Sequence, residues 1–401
     1  MPRVLVTGSE HPAGLAALRG LRTAGFEPWA AVQSRSAPGA RSRSAAGLVD
    51  VPDARTEPDA FVQSLAEAAR RLNAAVVLPG TEAALLALAG RRDAFPASVA
   101  VGDAPESVLR RATDKTALAL LALRAGLDTP PTRIVIADDG LAADYDLSFP
   151  AVVKPLRSEL TTEDGGLQRF EAQRVESRAE LDRALRDLPD EVGLVQPYIE
   201  GRLISVNGVS WRGSVEGMHQ HVVYRVWPER CGHLAYAETI PLGEERRQAV
   251  AAFMRELDWS GVFNLQLIER DGRQYVIDLN PRFYHSLGLA VAAGVNLPAI
   301  WASLLLDLPF DEGRCRMGVR FRDEKDDPRA IWRELRRGET GALRGLVPRR
   351  RTAHSLFSLR DPGPALSLFG AGAAKLRRKG AQTSPEPPSA RPAPPRERIS
   401  V

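Results

Sequence analysis

Short aliphatic runs alternate with amphipathic stretches along the first hundred residues. Strand-like patterns at 4–7, 29–32, 75–78 and 98–101 are separated by helical ones at 13–24, 59–72 and 82–88. Such alternation predicts a small parallel α/β unit. A helical stretch follows at 105–125, then a second α/β region. Its strands are expected at 133–136, 151–154, 193–198, 203–209 and 219–226, with a final pair at 262–269 and 273–279. Helices are expected at 177–188 and at 243–257, the latter with the apolar stripe Val250, Phe253, Met254 and Leu257. An apolar helix is predicted over 287–306, and the pattern weakens after Pro309. Beyond Gly380 the chain is mostly Ser, Pro, Arg, Ala and Glu without apolar periodicity, which reads as a disordered end. The expected organisation is an amino-terminal α/β domain (1–104), a central domain (105–310) in two lobes (105–190 and 191–310), a basic extension (311–379) and a Pro-rich tail (380–401).

Composition narrows the class. With 401 residues and 44% hydrophobic content the chain can bury substantial cores. No apolar run approaches the roughly 20 residues of a membrane span, and the amino-terminal residues run straight into a strand pattern, so a cytoplasmic location is expected. Cys231 and Cys315 lack metal-type spacing and are read as reduced and structural. The net charge of +4 is unevenly spread: residues 331–380 hold twelve basic and three acidic side chains, leaving residues 1–330 mildly acidic.

Lysine is scarce. Of 54 basic residues only five are lysine, and two of them, Lys115 and Lys154, lie in the first 320 residues. A background drifted this far toward arginine keeps lysine where a compact point charge is needed, as on a phosphate. Lys115 opens an apolar helix in Ala112-Thr113-Asp114-Lys115-Thr116; Lys154 ends the apolar run Phe149-Pro150-Ala151-Val152-Val153-Lys154. Farther on, two strand patterns meet at Asp271-Gly272, a hairpin signal. Asp278 and Asn280 are two apart and share a strand face. Gln266 joins that face only if the pairing contains a bulge; a three-residue loop with Gly272 as a left-handed bulge, pairing Gln266 with Val276, is expected. Three oxygen donors on one face followed by Arg282 suit Mg²⁺ bridging nucleotide phosphates, with a guanidinium taking the charge of a transferred phosphoryl group. The loop Gly8-Ser9-Glu10-His11-Pro12-Ala13-Gly14 lacks G-x-G-x-x-G spacing, so Gly8 is expected only to turn the chain out of its strand.

These pieces, together with Val195-Gln196-Pro197-Tyr198-Ile199-Glu200-Gly201 between the second lysine and the hairpin, resemble the ATP-grasp superfamily, in the carboxylate–amine ligase and carbamoyl-phosphate synthase style. The resemblance covers roughly 104–298. It implies an α/β ATP-grasp fold preceded by a small parallel α/β (pre-ATP-grasp) domain. It further implies ATP and Mg²⁺ (or Mn²⁺) as cofactors, phosphate contacts from Lys115 and Lys154, adenine contacts from Gln196 and Ile199, and Glu200 near the ribose. The loop 158–166, with Gly165 and Gly166, would cover the phosphates; Gln266, Asp278 and Asn280 would bind the metal, and Arg282 would be catalytic. Two departures stand out: the family more often has glutamate where this chain has Asp278 and frequently where it has Gln266, and Leu203 and Asn207 stand where acidic residues are common.

Candidates for a second substrate site are His219, His221, Arg225, Trp227, Glu238, Thr239, Tyr284, His285 and Ser286, with Arg225 the expected carboxylate clamp. The resemblance implies an ADP-forming ligase that joins a small-molecule carboxylic acid to an amine through an acylphosphate. The alternatives are a bicarbonate-using carboxylase or carbamoyl-phosphate type of enzyme, and a non-catalytic ATP-binding regulator working through its basic tail. That tail suits a solvated segment or a partner-protein contact better than nucleic acid, since no aromatic-rich motif accompanies it; a homodimer is left open.

Overall fold

The alternation of the first hundred residues closes into a five-stranded parallel sheet. In the computed structural model, which describes residues 1–137, 147–161, 166–188, 191–229, 231–342 and 351–366, the strands are β1 (Arg3–Val6), β2 (Glu27–Val32), β3 (Gly47–Asp50), β4 (Val76–Leu78) and β5 (Ala100–Val101). Their order is β3-β2-β1-β4-β5. Both faces are buried, as parallel strands require. One packs on α2 (Pro58–Leu72) and α3 (Glu82–Leu88); the other packs on α1 (Pro12–Thr23).

Two helices, α4 (Glu106–Thr113) and α5 (Lys115–Arg124), lead to a four-stranded antiparallel sheet of order β10-β7-β11-β6. It comprises β6 (Arg133–Ile136), β7 (Ala151–Lys154), β10 (Gln173–Val175) and β11 (Val192–Pro197), backed by α6 (Arg178–Arg186). Between β7 and β10 the polar loop forms a hairpin, β8 (Glu159–Thr161) with β9 (Leu167–Arg169).

The largest sheet has seven strands, in the order β16-β15-β12-β13-β14-β17-β18. Its members are β12 (Arg202–Trp211), β13 (Ser214–Trp227), β14 (His233–Ile240), β15 (Gly261–Arg270), β16 (Arg273–Asn280), β17 (Arg320–Arg322) and β18 (Thr352–His354). One face carries Ile204, Val206, Val222, Leu265, Leu267 and Leu279, packed on α4, α5 and α7 (Glu244–Leu257). The other is polar: cross-strand partners Gln266, Ser205, His221 and Thr239 form one row, and Asn280, Asn264, Asn207 and His219 a second.

Three sequence expectations are corrected. The stretch 287–306 is two helices, α8 (Leu287–Ala293) and α9 (Leu297–Leu305), bent by 91° at residues 294–296. Both pack on α1, so Phe283, Leu287 and Trp301 share one core with Leu18 and Leu21 of the amino-terminal unit. The strand β14 was not foreseen, since its alternating polar residues lie under β17. The extension beyond residue 310 also contributes structure: β17 pairs with β14, β18 pairs with β17, and α10 (Asp327–Arg336) packs on β13. Farther on, the buried Asp361 carboxylate accepts hydrogen bonds from Arg19 Nε (2.9 Å), Ser42 Oγ (2.6 Å) and the Arg43 amide (2.9 Å). The stretch 380–401 lies outside the described residues. Among the described residues no single helix is long and apolar enough to cross a membrane.

The amino-terminal unit meets the rest at the loop after β4. A Cβ on Gly80 would lie 2.2 Å from the Thr7 carbonyl oxygen and 3.2 Å from Phe283 Cδ2. Gly80→Ala should therefore destabilise the protein by about 1–3 kcal/mol through overpacking, read as a lower urea midpoint at unchanged slope.

Candidate functional site

The hairpin β15–β16 sets the site's geometry. Its turn is two residues long, with Asp271 (φ 51°) and Gly272 (φ 76°) both left-handed, the arrangement that matches strand twist. The three-residue loop expected from sequence is therefore wrong. The bulge lies instead within β16: Gln266 pairs with Asp278 and Leu267 with Val276, leaving Ile277 as the extra residue. The outcome for the face is the one anticipated, with Gln266, Asp278 and Asn280 aligned, but the register shift sits six residues from the turn.

The bulged carbonyl has a partner. Lys154, at the end of β7 and 8% exposed, donates from Nζ to the Ile277 oxygen at 2.9 Å. Burial pushes its ammonium down to about 8, with Lys115 adding to the fall and Asp278 opposing it. Lys115 is held by local chemistry: Asp114 caps α5 by accepting from the Thr116 and Ala117 amides at 2.9 and 3.2 Å, and Lys115 Nζ donates to Ser158 Oγ at 2.8 Å. Lys115, Lys154, Gln196 and Asp278 line one cleft of about 310 Å³, together with Leu118, Ala119, Thr129, Val276 and Ile277. Gln196 is fixed by donating to Thr132 Oγ1 at 2.7 Å. Ile199 and Glu200 lie in the turn after β11, outside the cleft lining. Gly166 precedes β9 in the hairpin; Gly165 lies outside the described residues.

Arg282 is buried and forked. Its Nη2 donates to Asn280 Oδ1 (3.0 Å) and its Nη1 to the Phe283 carbonyl (2.9 Å), while Nε is sealed without a hydrogen-bond partner. Burial, and then the charge of Arg169, lower its affinity for a proton. From Asn280 a relay of amides crosses the sheet. Asn280 Nδ2 donates to Asn264 Oδ1 (3.2 Å), Asn264 Nδ2 to Asn207 Oδ1 (2.7 Å), and Asn207 Nδ2 meets His221 Nδ1 (3.3 Å), whose Nε2 meets Ser286 Oγ (3.4 Å). Burial, with His219 adding to it, pushes His221 down to about 3, so it is a neutral member of this chain. Asn264 was missed from sequence, although it stands two residues before Gln266 and therefore shares its face.

The other second-site candidates divide. His221 and Ser286 join the relay. His219, pushed down to about 4 by burial, meets the Gly217 carbonyl at 3.3 Å. Tyr284 is buried in the core shared with α1, and His285 Nε2 meets Asp323 Oδ2 at 3.0 Å. Arg225, expected as a carboxylate clamp, is taken by Asp327 of α10, which accepts from its Nε at 2.6 Å; the guanidinium also lies 4.4 Å from the Tyr236 ring centre. Glu238 pairs with Arg320, Thr239 donates to the Arg316 carbonyl, and Trp227 packs under Arg333. These four fasten the extension to the large sheet rather than facing the cleft. The hairpin β8–β9 is fastened too: Arg55 of the amino-terminal unit donates to Glu159 at 2.8 and 3.3 Å, and the Leu167 amide donates to the Arg55 carbonyl at 2.8 Å.

The donor set fits a hard divalent cation. Gln266, Asp278 and Asn280 offer oxygen only, with a single carboxylate, and among the described residues no cluster of three His, Cys, Asp or Glu side chains competes.

Residues 190–326 match a family described as ATP-grasp in the biosynthetic pathway with Ter operon. Over 218 residues the chain is 25% identical to the carbamoyl phosphate synthase large chain of Vibrio cholerae serotype O1, covering 51% of this chain but 19% of that one. Among solved structures, L-amino acid ligase from Bacillus licheniformis superposes with a TM-score of 0.56 at 17% identity, covering 76% of this chain and 74% of that one. The ADP complex of PurK, N5-carboxyaminoimidazole ribonucleotide synthetase, superposes with a TM-score of 0.59 at 18% identity, covering 80% of each. The fold is that of carboxylate–amine ligase-type ATP-grasp proteins. The chain belongs to the ATP-grasp superfamily.

Two outcomes are expected. Between about pH 8 and 10.5 the unfolded chain keeps the Lys154 proton that the folded chain has released, so stability rises with pH across that window. Urea titrations of the wild type should show this rise, at most about 3 kcal/mol, and Lys154→Met should flatten it. Asn207→Leu should cost about 1–3 kcal/mol by stranding the Asn264 donor, and a double-mutant cycle with Asn264→Leu should recover part of the loss.

Proposed function

We propose that the protein is an ATP-dependent ligase that activates a carboxylate as an acylphosphate and joins it to an amine, releasing ADP and phosphate. The observation that carries this reading is the convergence of Lys115, Lys154 and Asp278 on one cleft, with Arg282 forked beside Asn280. In this reading the two lysines hold ATP phosphates. Gln266, Asp278 and Asn280 would hold Mg²⁺, which supplies charge neutralisation between the phosphates when bound. Arg282, already desolvated, meets the negative charge that develops on the transferred phosphoryl group; its sealed Nε is a donor with no present use. A binding module has little need of such a guanidinium, which favours turnover over the regulator reading. Similarity to carbamoyl phosphate synthase keeps bicarbonate as a second acid to test.

The test is ADP release by the purified protein with Mg²⁺-ATP against pooled amino acids, small dicarboxylic acids and bicarbonate. Substrate-dependent ADP is expected from one pool, and Arg282→Ala should lower it by about 100- to 1,000-fold. ADP release that is independent of every pool, or unchanged by Arg282→Ala, counts against the reading.

A further inference from the structure

The amino-terminal unit sends one acidic side chain into the region around Arg282. Glu82 is the first residue of α3, directly after Thr81, whose Oγ1 caps the helix by accepting from the Ala84 amide at 3.1 Å. The loop that carries it is clamped. The Gly80 amide donates to Thr7 Oγ1 at 2.9 Å, and Gly80 lies so close to Phe283, the neighbour of Arg282, that it admits no side chain without displacement. Glu82 is only 6% exposed, yet among the described residues its carboxylate makes no hydrogen bond and no ion pair. The cations that act on it are Arg282, Lys115 and Arg169, in that order, with Glu159 opposing them. Each of those cations is occupied elsewhere: Arg282 with Asn280, Lys115 with Ser158, and Arg169 with Glu171 at 2.7 Å. A buried carboxylate is normally paired or hydrogen-bonded. This one is held ready, beside the proposed reaction centre, for something not of the chain.

We propose that Glu82 receives the amine: its carboxylate binds the incoming ammonium group and takes the proton that must leave before nitrogen can attack. The proposal rests on the ligase reading. In the step, one N–H proton of the ammonium passes to the Glu82 carboxylate, and the freed lone pair forms the C–N bond at the acylphosphate carbon. The C–O bond to phosphate breaks, its electron pair leaves with phosphate, and phosphate carries off the second nitrogen proton. Glu82 then returns its proton to water. Burial raises this carboxyl above the ordinary carboxylate range despite its cationic neighbours, which makes it a better base than an exposed glutamate. The co-substrate is thereby a primary amine carried as a cation, and it enters from the side of the amino-terminal unit.

Hydroxylamine separates this role from a merely supporting one, because it is largely neutral near neutral pH and needs no base. Wild type, Glu82→Gln and Glu82→Asp would be given Mg²⁺-ATP and pooled amino acids, with and without hydroxylamine, and assayed for ADP, hydroxamate and amide product. Glu82→Gln should lose amide formation by about 100-fold while hydroxamate formation stays within about threefold of wild type, and Glu82→Asp should regain part of the amide activity. Equal loss of both products would overturn the proposal, since Glu82 would then serve Arg282 or the acid; retention of both would overturn it as well. If the wild type forms ADP and hydroxamate, the ligase reading stands whatever Glu82 does. If it forms neither, that reading fails and the proposal fails with it.

Discussion

A single extra residue in β16 governs the arrangement. With Ile277 bulged out, Gln266 faces Asp278 and Asn264 faces Asn280, and the polar row continues into Ser205 and His221 on the neighbouring strands. Without it, every residue from Ile277 onward would turn to the opposite face, and Asp278 and Asn280 would point into the apolar layer formed by α4, α5 and α7. The bulge also leaves the Ile277 carbonyl free for Lys154, which comes from a different sheet. One local irregularity thus orients the oxygen donors and ties the small lobe to the large one.

Around that hairpin the charge balance is held by parts distant in sequence. Arg282 is fixed by Asn280 and the relay behind it, Lys115 by Ser158, and the hairpin β8–β9 by Arg55 through Glu159. The relay is built from uncharged amides and a neutral imidazole. Such a chain can hold a guanidinium in place without adding a second buried charge beside it, which would cost far more to desolvate. Asn207 standing where acidic residues are common is then part of a neutral design.

What could be read in advance follows the range of the interactions. Period-two alternation and the Asp-Gly turn disclosed the hairpin and the shared face of Asp278 and Asn280, because both are local. The lysines were legible through their rarity, and Asp114 before Lys115 is a capping signal that the structure uses. The bulge was misplaced because its position depends on which carbonyl Lys154 reaches, a contact 123 residues away in sequence. Arg225 looked available because nothing near it in the chain announces Asp327. Glu82 carried no signal at all, since a glutamate opening a helix is ordinary and only the approach of Phe283 gives it a neighbourhood. The long apolar stretch 287–306 hid its own break, as hydrophobicity alone does not distinguish one buried helix from two.

The Asp361 anchor has a consequence in time. Its carboxylate gathers three donors from α1 and the segment before β3, across more than 300 residues of chain. During synthesis the first domain can assemble its parallel sheet early, as domains generally do. Arg19, Ser42 and Arg43, however, must wait for a partner made nearly last. Until then Ser42 and the Arg43 amide have only water there, and α1 lacks the platform of α8 and α9 that buries its outer side. The first domain to leave the ribosome is therefore among the last to be finished, and a chain halted before residue 361 would carry an amino-terminal unit with one face still open.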